Sequence, residues 1–195
     1  MQIERETIGK FINASVNDHA EAERLLDAHP NLRHANWLGD EHLLNFLVIE
    51  NFATGVVFCL EHGFDANQID GEMGATPLHY ACKLNYLEVA NVLLDGGANP
   101  NSICQINDTP IHCAVQNGSA ELVDILIQNG GNPNYTTELG ETIFDNWPPW
   151  AENDLANAIR KHNVKRNGDI TMWCTRSTQS GGCQVVSFSF VPGDH

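Results

Sequence analysis

The chain has 195 residues, 42% of them apolar and 18% charged, a composition that excludes a disordered polymer, and no uninterrupted apolar run is long enough to cross a bilayer. A formal charge of −15 disfavours phosphate backbones and anionic membranes and points to neutral or cationic partners. The charge is segregated: residues 34–159 hold 17 acids and one base, Lys83, for a net −16, whereas residues 1–33 carry −2 and residues 160–195 carry +3.

Met1 to Glu6 mixes acid and base with no apolar stretch after it, which predicts the absence of a secretory leader and a cytoplasmic location. Phe11 to Val16 and Ala20 to Asp27 have the spacing of two short helices. A unit follows in which His42-Leu43-Leu44-Asn45 precedes an aliphatic stretch closed by Gly63-Phe64-Asp65-Ala66-Asn67. Gly74-Ala75-Thr76-Pro77-Leu78-His79-Tyr80-Ala81 then recurs 33 residues later as Asn107-Asp108-Thr109-Pro110-Ile111-His112-Cys113-Ala114. Each is followed by an amphipathic helix, Leu87 to Asp95 and Glu121 to Gln128, and by a Gly-Gly-x-Asn-Pro-Asn turn. A third start, Thr142-Ile143-Phe144-Asp145, lies 33 residues after Thr109. It lacks both Pro and His, and Trp147-Pro148-Pro149-Trp150 interrupts the helix that should follow. A second helix there is predicted to start from a cap at Asn153 or Asp154 and run through Leu155 and Ile159.

These letters have physical reasons. Thr76 and Thr109 are favoured N-caps, an effect of about 1 kcal/mol. Pro77 and Pro110 fit the first helical position, where an N–H is not needed. Gly97 and Gly130 supply the left-handed residue that ends the second helix. Two short helices cannot bury such an apolar face alone, so the units must stack. Asn67 to Thr76 is one residue longer than Asn101 to Thr109, which predicts an insertion in the connecting finger. Downstream, Ile170 to Thr175 and Gln184 to Val191 alternate with period two, predicting a β-hairpin over 165–195.

The Thr-Pro-Leu-His-x-Ala motif with its closing Gly-Ala-Asn-x-Asn turn, at a 33-residue period, resembles the ankyrin repeat. The resemblance implies an all-α fold: an ankyrin-repeat solenoid of about five helix-turn-helix units at roughly 5–36, 37–69, 70–103, 104–136 and 137–164, with the hairpin tail at 165–195 as a separate extension. It also implies that His79 and His112 are scaffold residues, each linking neighbouring units through ring hydrogen bonds to backbone and to the cap threonine. Small acidic ankyrin proteins of this kind occur in bacteria, where an antitoxin or immunity role is one implication.

No motif supports catalysis. There is no phosphate loop, no His-Glu-x-x-His, no Gly-x-Ser-x-Gly and no Cys-x-x-Cys. No metal site, cofactor or catalytic residue is therefore assigned. Gly181-Gly182-Cys183 could present a thiol, but no base or orienting group is identifiable. Cys59 and Cys82 align with core positions, Cys104 falls in a finger where exposure is expected, and a Cys174–Cys183 bridge suits the hairpin geometry but not a reducing cytoplasm.

Position by position, the resemblance puts partner-binding residues on a concave face made of finger tips and first-helix ends. The fingers offer Asp70, Glu72 and Met73, then Ile103, Gln105, Ile106 and Asp108, then Glu138, Leu139 and Glu141. The first helices add Lys83, Leu84, Gln116 and Asn117, and Trp150 extends the row. The expected function is non-enzymatic binding of another protein, neutral or basic, by a chain that is monomeric alone and binds neither nucleic acid nor membrane. Stoichiometric inhibition or an immunity-type role is a narrower form of that expectation. The alternative is an effector or enzyme whose activity lies in residues 146–195.

Overall fold

A computed structural model describes residues 3–39, 41–71, 73–105, 108–145 and 148–162. The predicted hairpin at 165–195, Cys174 and Cys183, and the predicted site residues Glu72 and Ile106 lie outside the described residues. The helices are α1 (Arg5–Asn17), α2 (His19–Ala28), α3 (Leu43–Ile49), α4 (Ala53–Glu61), α5 (Pro77–Lys83), α6 (Leu87–Asp95), α7 (Pro110–Gln116), α8 (Ala120–Gln128) and α9 (Glu152–Lys161). A short antiparallel pair, β1 (Asn36–Leu38) and β2 (Glu41–His42), forms the first finger, with Asn36 opposite His42 and Leu38 opposite Glu41.

First helices α3, α5 and α7 pack side by side, and second helices α4, α6 and α8 form a parallel row, continued by α9 against α8. The N-terminal cap is offset, since α1 packs on α2 and on α4 rather than joining the α3 row. Between the rows runs one continuous core that includes Leu47, Val56, Leu78, Leu93, Ile111, Leu122 and Leu126, all fully buried. Truncating any of these to Ala removes about 2–5 kcal/mol. Gly63, Gly97 and Gly130 end the second helices at φ of 82°, 88° and 87°, the left-handed conformation their position requires.

The predicted insertion is located by the fingers' own hydrogen bonds. The Cys104 N–H donates to the Asp108 carbonyl and the Thr137 N–H to the Glu141 carbonyl, but the equivalent bond in the preceding finger runs from Asp70 to Ala75, one residue further along. The last unit keeps only a turn at 143–145 where the others have a first helix, and α9 begins after Ala151, two residues ahead of the predicted cap.

The fourth residue of each unit start shows how the stack is joined. The His79 Nδ1 accepts the Thr76 N–H at 3.1 Å, and its Nε2 lies 3.1 Å from the Asp108 carbonyl of the next unit. An amide can only donate and a carbonyl can only accept, so the proton is fixed on Nε2 and the ring is neutral. Burial lowers the His79 pKa accordingly. In the next unit, the His112 Nδ1 faces the Thr109 N–H at 3.5 Å and the Thr109 hydroxyl at 2.9 Å, but its buried Nε2 has no partner among the described residues. The expected unit-to-unit link therefore forms at His79 and not at His112. The unit following His112 is the one whose first helix the prolines replace, and the carbonyl of Glu141, 33 residues after Asp108, is bonded by Thr137 instead.

The outer members of the series differ again. Asn45 is buried with neither amide atom partnered among the described residues, and Asp70 of the next finger takes over the cap by accepting the His42 N–H at 3.1 Å. Asp145 stands where the histidine would be and accepts both the Thr142 N–H and its hydroxyl, at 2.6 and 2.7 Å. An asparagine ladder joins the closing turns: Asn67 donates to the Gly97 carbonyl and accepts the Asn99 N–H, while Asn101 does the same to Gly130 and Asn132.

Candidate functional site

The fingers and the ends of the first helices lie at opposite ends of the α5 and α7 axes. Adjacent fingers are tied by a 2.9 Å bond from the Gln105 N–H to the Met73 carbonyl. At the far end, Asn117 donates to the Cys82 and Lys83 carbonyls at 2.8 and 2.6 Å, tying the end of α7 to the end of α5. A backbone held at both ends gives the side chains between a fixed frame.

Large apolar side chains are exposed on this frame. Seven are exposed among the described residues, and six of them belong to fingers or first-helix ends: Ile69, Met73, Leu84, Ile103, Leu139 and Trp150. Leu139 is 82% exposed and Trp150 73%. Such a row, rather than scattered single residues, is the mark of a surface that meets another molecule. Trp150 is seated by Gly118: a Cβ there would lie 2.5 Å from the indole, and the backbone holds φ at +68°. Leu84, Asn117 and Trp150 are spaced at 33-residue intervals, so the proline-broken last unit still supplies a side chain to the helix-end position. Ile69, equally exposed on the finger row, was not among the residues the sequence singled out; its signal is its alignment with Ile103 once the inserted residue is allowed for.

The acidic residues divide into two groups. Glu138 and Glu141 are exposed beside Leu139. Asp70 and Asp108, expected at the binding face, are 4% and 7% exposed and serve the frame. Asp70 caps α3, and Asp108 accepts the Gln116 side-chain amide at 3.0 Å. They are corrections to the expected row, because a finger this tight draws its carboxylates inward to satisfy buried N–H groups. Asn117, half-buried, is likewise committed to the frame, whereas Lys83, Gln105 and Gln116 are exposed. Burial and the nearby Asp70 and Glu50 carboxylates raise the Glu41 pKa.

Cys104 is buried, contrary to the expected exposure, because its N–H closes the finger turn and draws it inward. Cys59, Cys82 and Cys113 are buried thiols whose pKa values burial raises, that of Cys113 to about 12. These thiols are protonated and poor nucleophiles. Among the described residues no group of three or more His, Cys, Asp or Glu side chains could hold a metal ion, and no helix is long and apolar enough to cross a membrane.

Comparison with known families agrees with this architecture. A model for ankyrin repeats, in three copies, matches residues 11–104, and the single ankyrin-repeat model matches residues 107–138. No curated protein matches the chain. Ankyrin repeats are typically non-enzymatic modules for protein–protein interaction. With a stacked array of helix pairs, Thr-Pro caps on α5 and α7 and family matches over more than half its length, this chain belongs to the ankyrin-repeat family.

Proposed function

We propose that the chain binds a cationic protein along the concave face formed by its finger tips and first-helix ends, and acts as a stoichiometric inhibitor or immunity-type partner in the cytoplasm. The observation that carries this reading is the concentration of exposed large apolar side chains on that one face, with Glu138 and Glu141 beside Leu139. An apolar centre with a charged rim is the anatomy of a recognition surface. The net −16 of residues 34–159 would speed encounter with a basic partner and repel nucleic acid. Buried, protonated thiols suit a reducing compartment.

The test is affinity purification of the full chain beside a Leu139→Ser/Trp150→Ser variant, followed by association kinetics at two salt concentrations. The reading predicts a basic protein retained in one-to-one ratio by the parent and lost by the variant, with an association rate that falls as salt rises. Equal retention by both would overturn it.

A further inference from the structure

Resting on that reading, we infer that the segment of the partner held in this groove is an amphipathic α-helix with apolar side chains every seven residues and Lys or Arg on its flanks, running along the stack. The inference comes from matching two lengths in the protein to the dimensions of possible ligands. The first is the groove's width. The finger and helix-end rows are separated by α5 or α7, each seven residues long, or about 10 Å at the helical rise. An α-helix with its side chains is about 10–12 Å across, so one helix fills the space between the rows.

The second length is the period along the groove. Equivalent side chains recur once per unit, and packed neighbouring helices sit about 8–10 Å apart. Seven residues of an α-helix rise about 10.5 Å and return to nearly the same face. In an extended strand, side chains on one face recur at about 6.6 Å and then at about 13 Å, neither of which meets successive units. Leu84 and Trp150, two units apart on one row, and Met73 and Leu139, two units apart on the other, would therefore face apolar side chains fourteen residues apart, with Ile103 between. Charge sets the flanks. Glu138 and Glu141 border Leu139, and Lys83 is the single base in residues 34–159, so a helix flanked by Lys and Arg is complementary and one flanked by Glu is repelled.

The experiment is selection of phage-displayed 21-residue random peptides on the immobilised full chain, with the Leu139→Ser/Trp150→Ser variant as counter-target. A synthetic pair then follows: one peptide with leucines at positions 4, 11 and 18 among lysines and alanines, and one of the same composition with leucines at 4, 9 and 14. The expected result is winners with a seven-residue apolar period, helical when bound, and binding of the first synthetic peptide at least tenfold tighter than the second. Winners that need Leu139 and Trp150 but are extended or proline-rich would overturn the helical inference and leave the concave-face reading intact. Winners indifferent to those two residues would remove both. A concentration-dependent dimer in sedimentation equilibrium, or cross-links from the Leu139 region to residues 163–195, would assign the groove to a second copy or to the chain's own end, and either would overturn the inference.

Discussion

The junction between the third and fourth units and the junction between the fourth and fifth are built from different forces. The first is closed by neutral, mostly backbone-directed hydrogen bonds: His79 to the Asp108 carbonyl, Asn101 to the Gly130 turn, and Asn117 to the ends of α5. The second leaves the His112 Nε2 unpartnered and relies on Trp150 over Gly118 and on Asp124, which pairs with Lys161 at 2.7 Å and with the His162 ring. A repeat array can thus keep one motif at two positions and still have a central joint indifferent to salt and a terminal joint that depends on charge.

Breaking the central joint should have the largest effect. His79→Ala removes a cap and an inter-unit bond and strands buried groups, at about 3 kcal/mol, whereas His112→Ala, with one bonded ring nitrogen to lose, costs about 1–2 kcal/mol. Urea unfolding of the two variants measures the difference, and equal losses would erase the contrast drawn between the joints. The next effect is acid sensitivity. Burial lowers the pKa of both histidines, so the unfolded chain binds protons that the folded one refuses. Their contribution is complete above the unfolded histidine value of about 6.5 and shrinks as pH falls below it. A stability profile that stays flat from pH 7 to 5 in the parent would contradict this.

Smaller effects sharpen the comparison. Asn101→Ala removes one rung of the ladder and should cost about 1 kcal/mol. Asn134→Ala, one unit beyond the last rung, should stay within about 0.5 kcal/mol on chemical denaturation. At the terminal joint, the Lys161 ammonium and the His162 ring hold the Asp124 carboxyl at about 2. Its folded value is depressed, so its contribution is whole above the ordinary carboxylate value of about 4 and is lost as pH falls towards about 2. Asp124→Asn should speed amide exchange in α9 several-fold while leaving α5 and α6 unchanged, and exchange that accelerates equally in all three would refute a local clamp.

How much of this was legible in the sequence depends on whether a residue's role is set within its own unit. Thr76-Pro77, Gly97 and the one-residue insertion before Thr76 act locally, and the structure places each as read. His79 and His112 sit in the same motif, yet their second ring nitrogens depend on what the following unit presents, which the motif does not contain. Asp70 and Asp108 look like surface charges because fingers are exposed on average; their burial follows from cap and turn N–H groups that only the assembled neighbours bring within reach. Asn45 held a clue, since a unit start without the Thr-His pair must find its cap elsewhere, and Asp70 provides it. For the binding face, exposure of Met73, Ile103, Leu139 and Trp150 agrees with the expected row, while Asp70, Asp108 and Asn117 belong to the frame that carries it.

The central claim is that the finger and first-helix-end row is the surface that grips a protein. Hydrogen–deuterium exchange of the full chain, free and bound to its purified partner, tests it most directly. The account predicts added protection around Met73, Leu84, Ile103, Leu139 and Trp150, with α4 and α6 unchanged. Protection confined to the outer second helices would contradict it.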